Sequence, residues 1–200
     1  MAITPLTFTP QTELDAVNQM LLSIGQSPVN TLTVAGLKDV SFARLVLHNT
    51  SREVQTNGWY FNTDEEYSLP ADVNGKVDLP ANALSCDPCD RTHNFVERYD
   101  AGTRRFWDKD EHTFVIGKTI ECDVVWFFQF EQIPQAARAH IAHKAGRVFQ
   151  AAGVGSQILY NYTKERELET LAELERENAR TSDANIFNHG SRTNNIFHRR

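Results

Sequence analysis

Apolar residues repeat at helical spacing in four segments of the chain, and the pattern changes to that of strands between the second and third segments. The first stripe follows Thr9 and Thr12, either of which can cap a helix, and it stops at Gly25. The other three helices are predicted at about residues 39–57, 134–152 and 156–180.

Residues 59–130 carry the shorter patterns that are typical of strands. Residues 95–99 and 104–108 flank Asp100-Ala101-Gly102, which predicts a β-hairpin. A second hairpin is predicted from residues 112–116 and 120–130, joined across Gly117-Lys118. The middle of the chain is therefore expected to be antiparallel sheet.

Two further features of this middle region affect its predicted burial and loops. Residues 124–128 are apolar throughout, which predicts a strand that is buried on both faces. Pro70, Pro80 and Pro88 indicate a loop-rich stretch between Leu69 and Arg91.

The predicted fold class is α+β, a bundle of four main helices with an antiparallel β-rich insertion between helices 2 and 3 and an extended C-terminal tail. Residues 1–58 would form the first half of the bundle, 59–130 the insertion, 131–180 the second half and 181–200 a docking tail.

The fourth helix has one narrow apolar seam. On a helical wheel the seam contains Tyr160, Leu168, Leu171 and Leu174. The opposite side carries acidic residues at every fourth position, namely Glu165, Glu169, Glu173 and Glu177. This pattern predicts a helix that packs on one side only.

The last twenty residues are polar and basic but contain two apolar pairs. The apolar pairs are Ile186 with Phe187 and Ile196 with Phe197, ten residues apart, and the basic residues include Arg192, Arg199 and Arg200. Such a segment is too short to bury a core, so these pairs favour a docking strip for a partner. The alternative is a frayed end with chance residues.

Composition excludes several classes of protein. The chain is 40% hydrophobic with a formal net charge of -6, which argues for a packed core and against wrapping nucleic acid. A surface past which DNA slides is still compatible with that charge.

No secretory signal is expected at the first ten residues and no apolar run approaches the length of a membrane span, so no membrane partner is predicted. The three cysteines are expected to be reduced thiols in a cytosol.

A metal site is the first chemistry to weigh. Cys86 and Cys89 form a Cys-x-x-Cys, and His93 and Cys122 could complete four zinc ligands. A single Cys-x-x-Cys is half of a zinc signature, so plain thiols are favoured. His140 and His143 are three residues apart, whereas zinc proteases need a spacing of four with a glutamate between. No metal or cofactor is predicted.

Paired carboxylates are the second chemistry, because glycan hydrolysis requires two of them. The candidates are Asp64, Glu65 and Glu66 in one cluster and Asp108, Asp110 and Glu111 in another. Both clusters fall at predicted strand ends or turns, where solvated acids are common. The chain is therefore predicted not to be an enzyme, with a polysaccharide hydrolase kept as an alternative.

Several segments resemble a known family. They are residues 13–18 (Glu-Leu-Asp-Ala-Val-Asn), 22–29 (Leu-Ser-Ile-Gly-Gln-Ser-Pro-Val), 43–45, 55–62 (Gln-Thr-Asn-Gly-Trp-Tyr-Phe-Asn), 69–72, and Ile133-Pro134 before a helix with Lys144-Ala145 and residues 147–149. This combination, over roughly residues 13–150, resembles the tail tubular protein A family, the head-to-tail adaptors or gatekeepers of T7-like short-tailed bacteriophages.

The resemblance implies a helical bundle with a β insertion and a structural role in the virion tail, after synthesis in the host cytoplasm. It implies a twelve-membered ring that joins the portal protein to the tail nozzle protein, tail tubular protein B. The ring would surround the DNA channel, act in DNA ejection and help to seat the tail fibre protein. The family pattern does not extend to residues 86–93 or to the Asn-Ile-Phe repeat. The alternatives are a tail-associated polysaccharide hydrolase and an unrelated α+β binding module.

Overall fold

In a computed structural model of the protein, the structure describes residues 9–33, 38–153 and 157–183. The described elements, in chain order, are α1 (Glu13–Ser23), α2 (Lys38–Gln55), β1 (Thr63–Leu69), β2 (Ala83–Pro88), β3 (Phe95–Asp100), β4 (Thr103–Asp108), β5 (Ile120–Trp126), a 3-10 turn (Phe130–Gln132), α3 (Gln135–Gly153) and α4 (Gln157–Asp183). This order confirms the predicted α+β class, with the strands inserted between the second and third helices.

The chain forms two compact units. The first contains Met1–Ser51 and Gln129–Arg200, and the second contains Arg52–Phe128. We call them the helical unit and the β unit. Among the described residues, no helix is long and apolar enough to cross a membrane.

Helix α1 begins where local chemistry satisfies its first N–H groups. The Thr12 hydroxyl accepts a hydrogen bond from the Asp15 N–H at 3.2 Å, and the Asp15 carboxylate accepts one from the Thr12 N–H at 3.0 Å. The hydrogen bonds from Thr12 hold the pKa of Asp15 below its usual value. The helix ends at Ser23, just before Gly25, so both predicted ends are confirmed.

The core of the helical unit is built around α3, which packs against both α1 and α4. Its buried side chains come from one face of each helix and include Val17, Met20 and Leu21 of α1, Val40, Ala43 and Leu47 of α2, Ala137, Ile141, Ala145 and Phe149 of α3, and Leu174 of α4. Arg138 fastens the start of α3 by donating to the carbonyl oxygens of Gln11 at 2.9 Å and Ile133 at 2.7 Å.

The predicted seam of α4 is wrong at Leu168. Thr170 and Leu174 are buried, whereas Leu168 is 57% exposed. The reason is that Glu167 and Thr170 lie on the packed side, where Glu167 pairs with Arg147 of α3 and the Thr170 hydroxyl lies 3.4 Å from His140 Nδ1. Polar contacts to α3 therefore set the rotation of α4, and leucine positions alone do not. Tyr160 lies outside the residues whose side chains are described.

The β unit contains a three-stranded antiparallel sheet in the order β1-β5-β2 and a separate β3-β4 hairpin. The hairpin predicted around residues 100–102 is confirmed: Asp100 pairs with Thr103, and Ala101 and Gly102 have φ of 47° and 85°, as a tight two-residue turn requires.

The second predicted hairpin is wrong. Residues 112–116 form no strand with β5, because the Ile116 and Gly117 N–H groups both donate to the Gly75 carbonyl, at 2.7 and 2.9 Å. Strand β5 instead lies between β1 and β2. The loop-rich reading of residues 70–91 is also incomplete, since it contains strand β2.

Strand β5 is buried on one face only, which corrects the expectation that residues 124–128 are covered on both faces. Ile120, Cys122 and Val124 are at most 2% exposed, while Glu121 is exposed and Asp123 is partly exposed. The alternation fits an antiparallel sheet with one wet face. The inner face packs on Phe95 and Phe106 of the β3-β4 hairpin in one apolar cluster.

Candidate functional site

The residues predicted to dock a partner, Ile186, Phe187, Arg192, Ile196, Phe197, Arg199 and Arg200, lie outside the described residues. The structure does describe the other elements that the sequence singled out, among them the Asn-Gly-Trp-Tyr-Phe-Asn element at residues 57–62.

This element forms a clasp where the chain enters and leaves the β unit. The Asn62 amide donates to the carbonyl oxygens of Gln55 at 2.9 Å and Trp126 at 2.8 Å, and its oxygen accepts from the Trp59 N–H at 2.8 Å. Asn62 is 1% exposed, so each of these bonds is made away from water. One side chain thus ties the end of α2 to the end of β5.

Gln55 makes a second connection of the same kind. Its side-chain amide donates to the Phe128 carbonyl at 2.9 Å and accepts from the Phe128 N–H at 2.8 Å, as a neighbouring strand would. The Trp59 indole N–H donates to the Val54 carbonyl at 2.8 Å. We call Gln55, Trp59, Asn62, Trp126 and Phe128 the clasp.

Glycine is required at position 58 for this geometry. Gly58 has a φ of 71°, and an added Cβ would lie 3.2 Å from both Thr63 Oγ1 and Val125 Cγ2. Residues 57–62, within one of the segments that resemble the family, therefore hold together the two ends of the chain in the β unit. Gln55 belongs to the segment at 55–62 that resembles the family, but its hydrogen bonds to Phe128 were not predicted, because that partner is 73 residues away.

A second feature of the β unit is a set of three hydrogen-bonded segments with exposed apolar side chains, which we call the tip: residues 72–76, 99–102 and 113–117. Val73 is fully exposed, Tyr99 is 72% exposed and Val115 is 55% exposed. The turn below Val73 is fixed because the Asp72 carboxylate accepts hydrogen bonds from the N–H groups of Asn74 and Lys76, both at 2.8 Å.

The three segments of the tip are fastened to one another. Gly75, with a φ of 74°, lies against Val115: an added Cβ would come within 3.0 Å of the valine Cγ1. The Lys76 ammonium donates to the Asp100 carboxylate at 2.6 Å, and Arg105 donates to the same carboxylate at 2.7 Å. These bonds hold the pKa of Asp100 below its usual value, with Lys76 as the largest cause. The exposed valines are thus presented on an ordered surface.

The sheet separates the cysteines that were weighed as zinc ligands. Cys86 and Cys122 belong to the apolar cluster on the inner face, whereas the Cys89 thiol lies on the outer face, 3.7 Å from the Asp123 carboxylate. Burial raises the pKa of Cys89, and the hydrogen bond to Cys86 together with burial raises that of Cys122. The three thiols are not disulfide-bonded.

His93, the remaining candidate ligand, is held elsewhere. Its ring stacks on Phe95 with centroids 5.3 Å apart, and its Nδ1 lies 2.8 Å from the Asp90 carboxylate. Hydrogen bonds from Thr92, with a weaker one from Lys118, hold the pKa of Asp90 well below its usual range. Among the described residues, no group of three or more histidine, cysteine or acidic side chains is placed to hold a metal ion.

The candidate catalytic carboxylates have structural partners. Asp64 accepts a hydrogen bond from the Trp126 indole at 2.8 Å, and Glu66 has a φ of 54° at an irregularity of edge strand β1. Asp108 is buried and accepts from the N–H groups of Asp110 and Glu111, at 2.8 and 3.1 Å, which fixes the turn after β4. These acids shape a strand edge and a turn.

His140 and His143 lie on the packed side of α3. His140 is 4% exposed beside Thr170, and His143 Nδ1 lies 3.4 Å from the Gln19 amide of α1. Burial lowers the pKa of both histidines, so both favour the neutral form. They are packing residues of the helical unit.

The fold and the clasp place the protein in a structural class: it is an α+β chain whose most specific sequence element, at residues 57–62, stabilises the fold. A family model described as Tail tubular protein matches residues 14–184, and the chain belongs to that family. It is therefore a structural protein of a bacteriophage tail, and so a component of the virion. A comparison with curated proteins found no match.

Proposed function

We propose that this chain is the ring-forming adaptor of a short-tailed phage, the A type of tail tubular protein, and acts as a gatekeeper of DNA ejection. The observation that carries the proposal is the family match over residues 14–184, taken with the segments at 22–29 and 57–62 that resemble the A type. Two of the candidate carboxylates, Asp64 and Asp108, hold a strand edge and a turn, which supports a structural joint and not an enzyme.

The proposed ring would contain about twelve copies around the DNA channel, above the nozzle and below the portal, in a virion assembled after synthesis in the host cytoplasm. The net charge of -6 supports a channel past which DNA slides without sequence-specific binding. The partners would be the portal protein, the nozzle protein (tail tubular protein B), the tail fibre protein and further copies of the chain itself.

The β unit is the part that we assign to the nozzle and fibre proteins. Its tip exposes Val73 and Val115 on hydrogen-bonded turns and Tyr99 on strand β3, so little backbone entropy remains to be lost when a partner covers them. The helical unit and the segment after α4 would then face the portal. This orientation also rests on the resemblance to the A type.

The segment after α4 is the proposed portal anchor, with the seven docking residues Ile186, Phe187, Arg192, Ile196, Phe197, Arg199 and Arg200. Burying one such apolar side chain on a partner contributes roughly 1.5–3 kcal/mol. Ordering the segment costs on the order of 1 kcal/mol or more for each residue. One copy would therefore bind weakly, and a ring would bind strongly through effective concentration.

Deletion of residues 184–200 tests the anchor, because described helix α4 ends at Asp183. The truncated chain should keep its helix content by circular dichroism but lose stable portal binding in mass photometry. A full-length variant with Ile186, Phe187, Ile196 and Phe197 changed to serine is the matched control for chain length, and it should lose binding too. Portal assembly equal to that of the intact chain would overturn the anchor.

A further inference from the structure

Strand β3 is an edge strand, and half of its backbone groups point away from its sheet. Asp100 pairs with Thr103 across a two-residue turn, which makes this the first hydrogen-bonded pair of the hairpin. The pattern alternates from there, so Arg98 bonds to β4 while Glu97 and Tyr99 direct their N–H and C=O groups outward. Within the part of the chain that the structure describes, no partner takes up these outward groups.

The other strand edges of the β unit are closed or interrupted. The outer side of β4 is hydrogen-bonded to residues 77–79. On the outer side of β2, side chains of the β3-β4 hairpin bind the Ala83 carbonyl at 2.5 Å and the Cys86 N–H at 2.8 Å. Strand β1 has an irregularity at Glu66, whose φ is 54°. Devices of this kind prevent the addition of another strand, and the outer edge of β3 lacks them at Glu97 and Tyr99.

Arg98 is an exposed cation that is held in place beside this open edge. Its guanidinium carbon lies 4.9 Å from the centroid of the Trp107 ring, and that ring packs edge-on against Phe114 with centroids 4.6 Å apart. Among the described residues, no carboxylate forms an ion pair with Arg98. Its N–H groups are therefore available to an acceptor, and the aromatic ring has already ordered the side chain.

The neighbouring acids are engaged by other cations. Arg105, directly opposite Arg98 on β4, pairs with Asp78 at 2.6 Å and with Asp100 at 2.7 Å. The same Asp100 carboxylate also accepts from Lys76 at 2.6 Å. This face of the hairpin therefore keeps an unneutralised positive charge at Arg98, and a carboxylate is the group that complements a guanidinium best.

We propose that the outer edge of β3 accepts one extended strand of the nozzle protein, and that this strand carries an aspartate or glutamate opposite Arg98. The backbone groups of Glu97 and Tyr99 supply the hydrogen bonds, as in other cases of strand addition. In an antiparallel pair, Arg98 occupies the position between two hydrogen-bonded pairs, where the side chains of the two strands come closest.

This inference rests on the proposed function, in which the tip faces the nozzle. Strand β3 runs directly into the tip, and Tyr99, which is 72% exposed, belongs to both. A partner that covers the exposed side chains of the tip therefore lies next to the open edge of β3.

Tyr99→Pro tests the backbone bonds, because proline lacks the N–H group and its ring obstructs an incoming strand. The Tyr99 N–H points away from β4, so the hairpin keeps its own hydrogen bonds. Tyr99→Thr is the matched control, since it also removes the aromatic ring but keeps the N–H group and suits a strand. Tyr99→Pro should bind purified nozzle protein about tenfold more weakly than Tyr99→Thr, as measured with full-length chains by biolayer interferometry.

Arg98→Glu tests the charge and should weaken nozzle binding at least tenfold. Lys109→Glu is its matched control, because it makes the same change in net charge at an exposed lysine beyond the other end of the hairpin. That control should keep the wild-type dissociation constant within about twofold. Circular dichroism checks that all four variants are folded, and if Tyr99→Pro is not, the comparison of Arg98→Glu with Lys109→Glu decides the proposal.

Four outcomes would contradict the proposal. Nozzle binding by Tyr99→Pro and Arg98→Glu that equals that of their controls would overturn strand addition and leave the adaptor role standing. Equal losses in Tyr99→Pro and Tyr99→Thr would overturn the backbone pairing. Losses toward the tail fibre protein, with nozzle binding unchanged, would overturn the nozzle protein as the source of the strand. A wild-type chain that binds neither nozzle nor portal would overturn the proposed adaptor and this contact together.

Discussion

At the scale of single residues, the clasp assigns a physical role to Trp59 and Asn62 of the motif at residues 57–62. Asn62 supplies two donors and one acceptor to the backbone of Gln55, Trp126 and Trp59. A buried backbone group that loses its partner costs roughly 1–3 kcal/mol, so this one amide affects stability more than its size suggests.

Asn62→Ala should therefore lower the free energy of unfolding by about 3 kcal/mol, since it leaves three buried backbone groups without these bonds. Asn57→Ala is the matched control, because Asn57 belongs to the same motif but is exposed. That control should change stability by less than about 0.5 kcal/mol. Urea unfolding followed by circular dichroism, at one chain concentration, measures both. Equal stabilities for the two variants would show that the clasp is not what the motif provides.

At the scale of elements, the helices were predictable because their signals are local. The Thr12 cap, the stop at Gly25 and the apolar stripes lie within a few residues of the ends and faces that they define. Strand pairing was less predictable, because β5 finds its partners at residues 63–69 and 83–88, far away in the sequence. The alternation of Ile120, Cys122 and Val124 with acids signalled a one-sided strand, but the apolar run that follows it obscured that signal.

The candidate site divides in the same way. The sequence singled out residues 57–62 by resemblance, but it could not indicate that Asn62 and Gln55 bind the end of β5. Leu168 was assigned to the core because spacing alone does not reveal the polar contacts of Thr170 that rotate α4. Such nonlocal polar contacts are visible only once the chain is folded.

The packing of α3 against α4 leads to a prediction about pH. Burial lowers the pKa of His140 and His143, so the folded chain takes up fewer protons than the unfolded chain as the pH falls through the unfolded value of about 6.5. Thr170, Glu167 and Lys144 surround His140, and their interactions are too weak to reverse this direction. Stability is therefore fully present above that pH and is lost below it.

Between pH 7.5 and pH 5.5 the buried His140 can remove up to about 1.4 kcal/mol of stability, and the partly exposed His143 removes less because solvent screens it. His140→Gln should reduce this loss by part of that amount, as measured by urea unfolding at both pH values. The comparison between pH 7.5 and 8.5 is the control, since there the difference between variant and wild type should stay constant. An identical acid loss in the two proteins would contradict the role assigned to His140.

At the scale of the whole molecule, the proposed adaptor would use different parts of the chain for different partners. The segment after α4 would bind the portal, and the tip of the β unit would bind the nozzle. Each surface lies on a different part of the chain, so a substitution in one should leave the function of the other intact.

The tip can be tested with Val73→Asp combined with Val115→Asp. Both side chains are exposed and lie on turns fixed by Asp72 and Gly75, so the variant should fold and form rings as the wild type does. A carboxylate at each position would have to be desolvated against the partner, which should weaken nozzle binding by at least tenfold, or about 1.4 kcal/mol.

Leu22→Asp, an exposed substitution in the helical unit, is the control and should leave nozzle binding unchanged. Binding of purified rings to the nozzle protein and to the portal protein is measured separately by mass photometry. Loss of portal binding with intact nozzle binding would reverse the proposed orientation, and loss of neither would exclude the tip from both contacts.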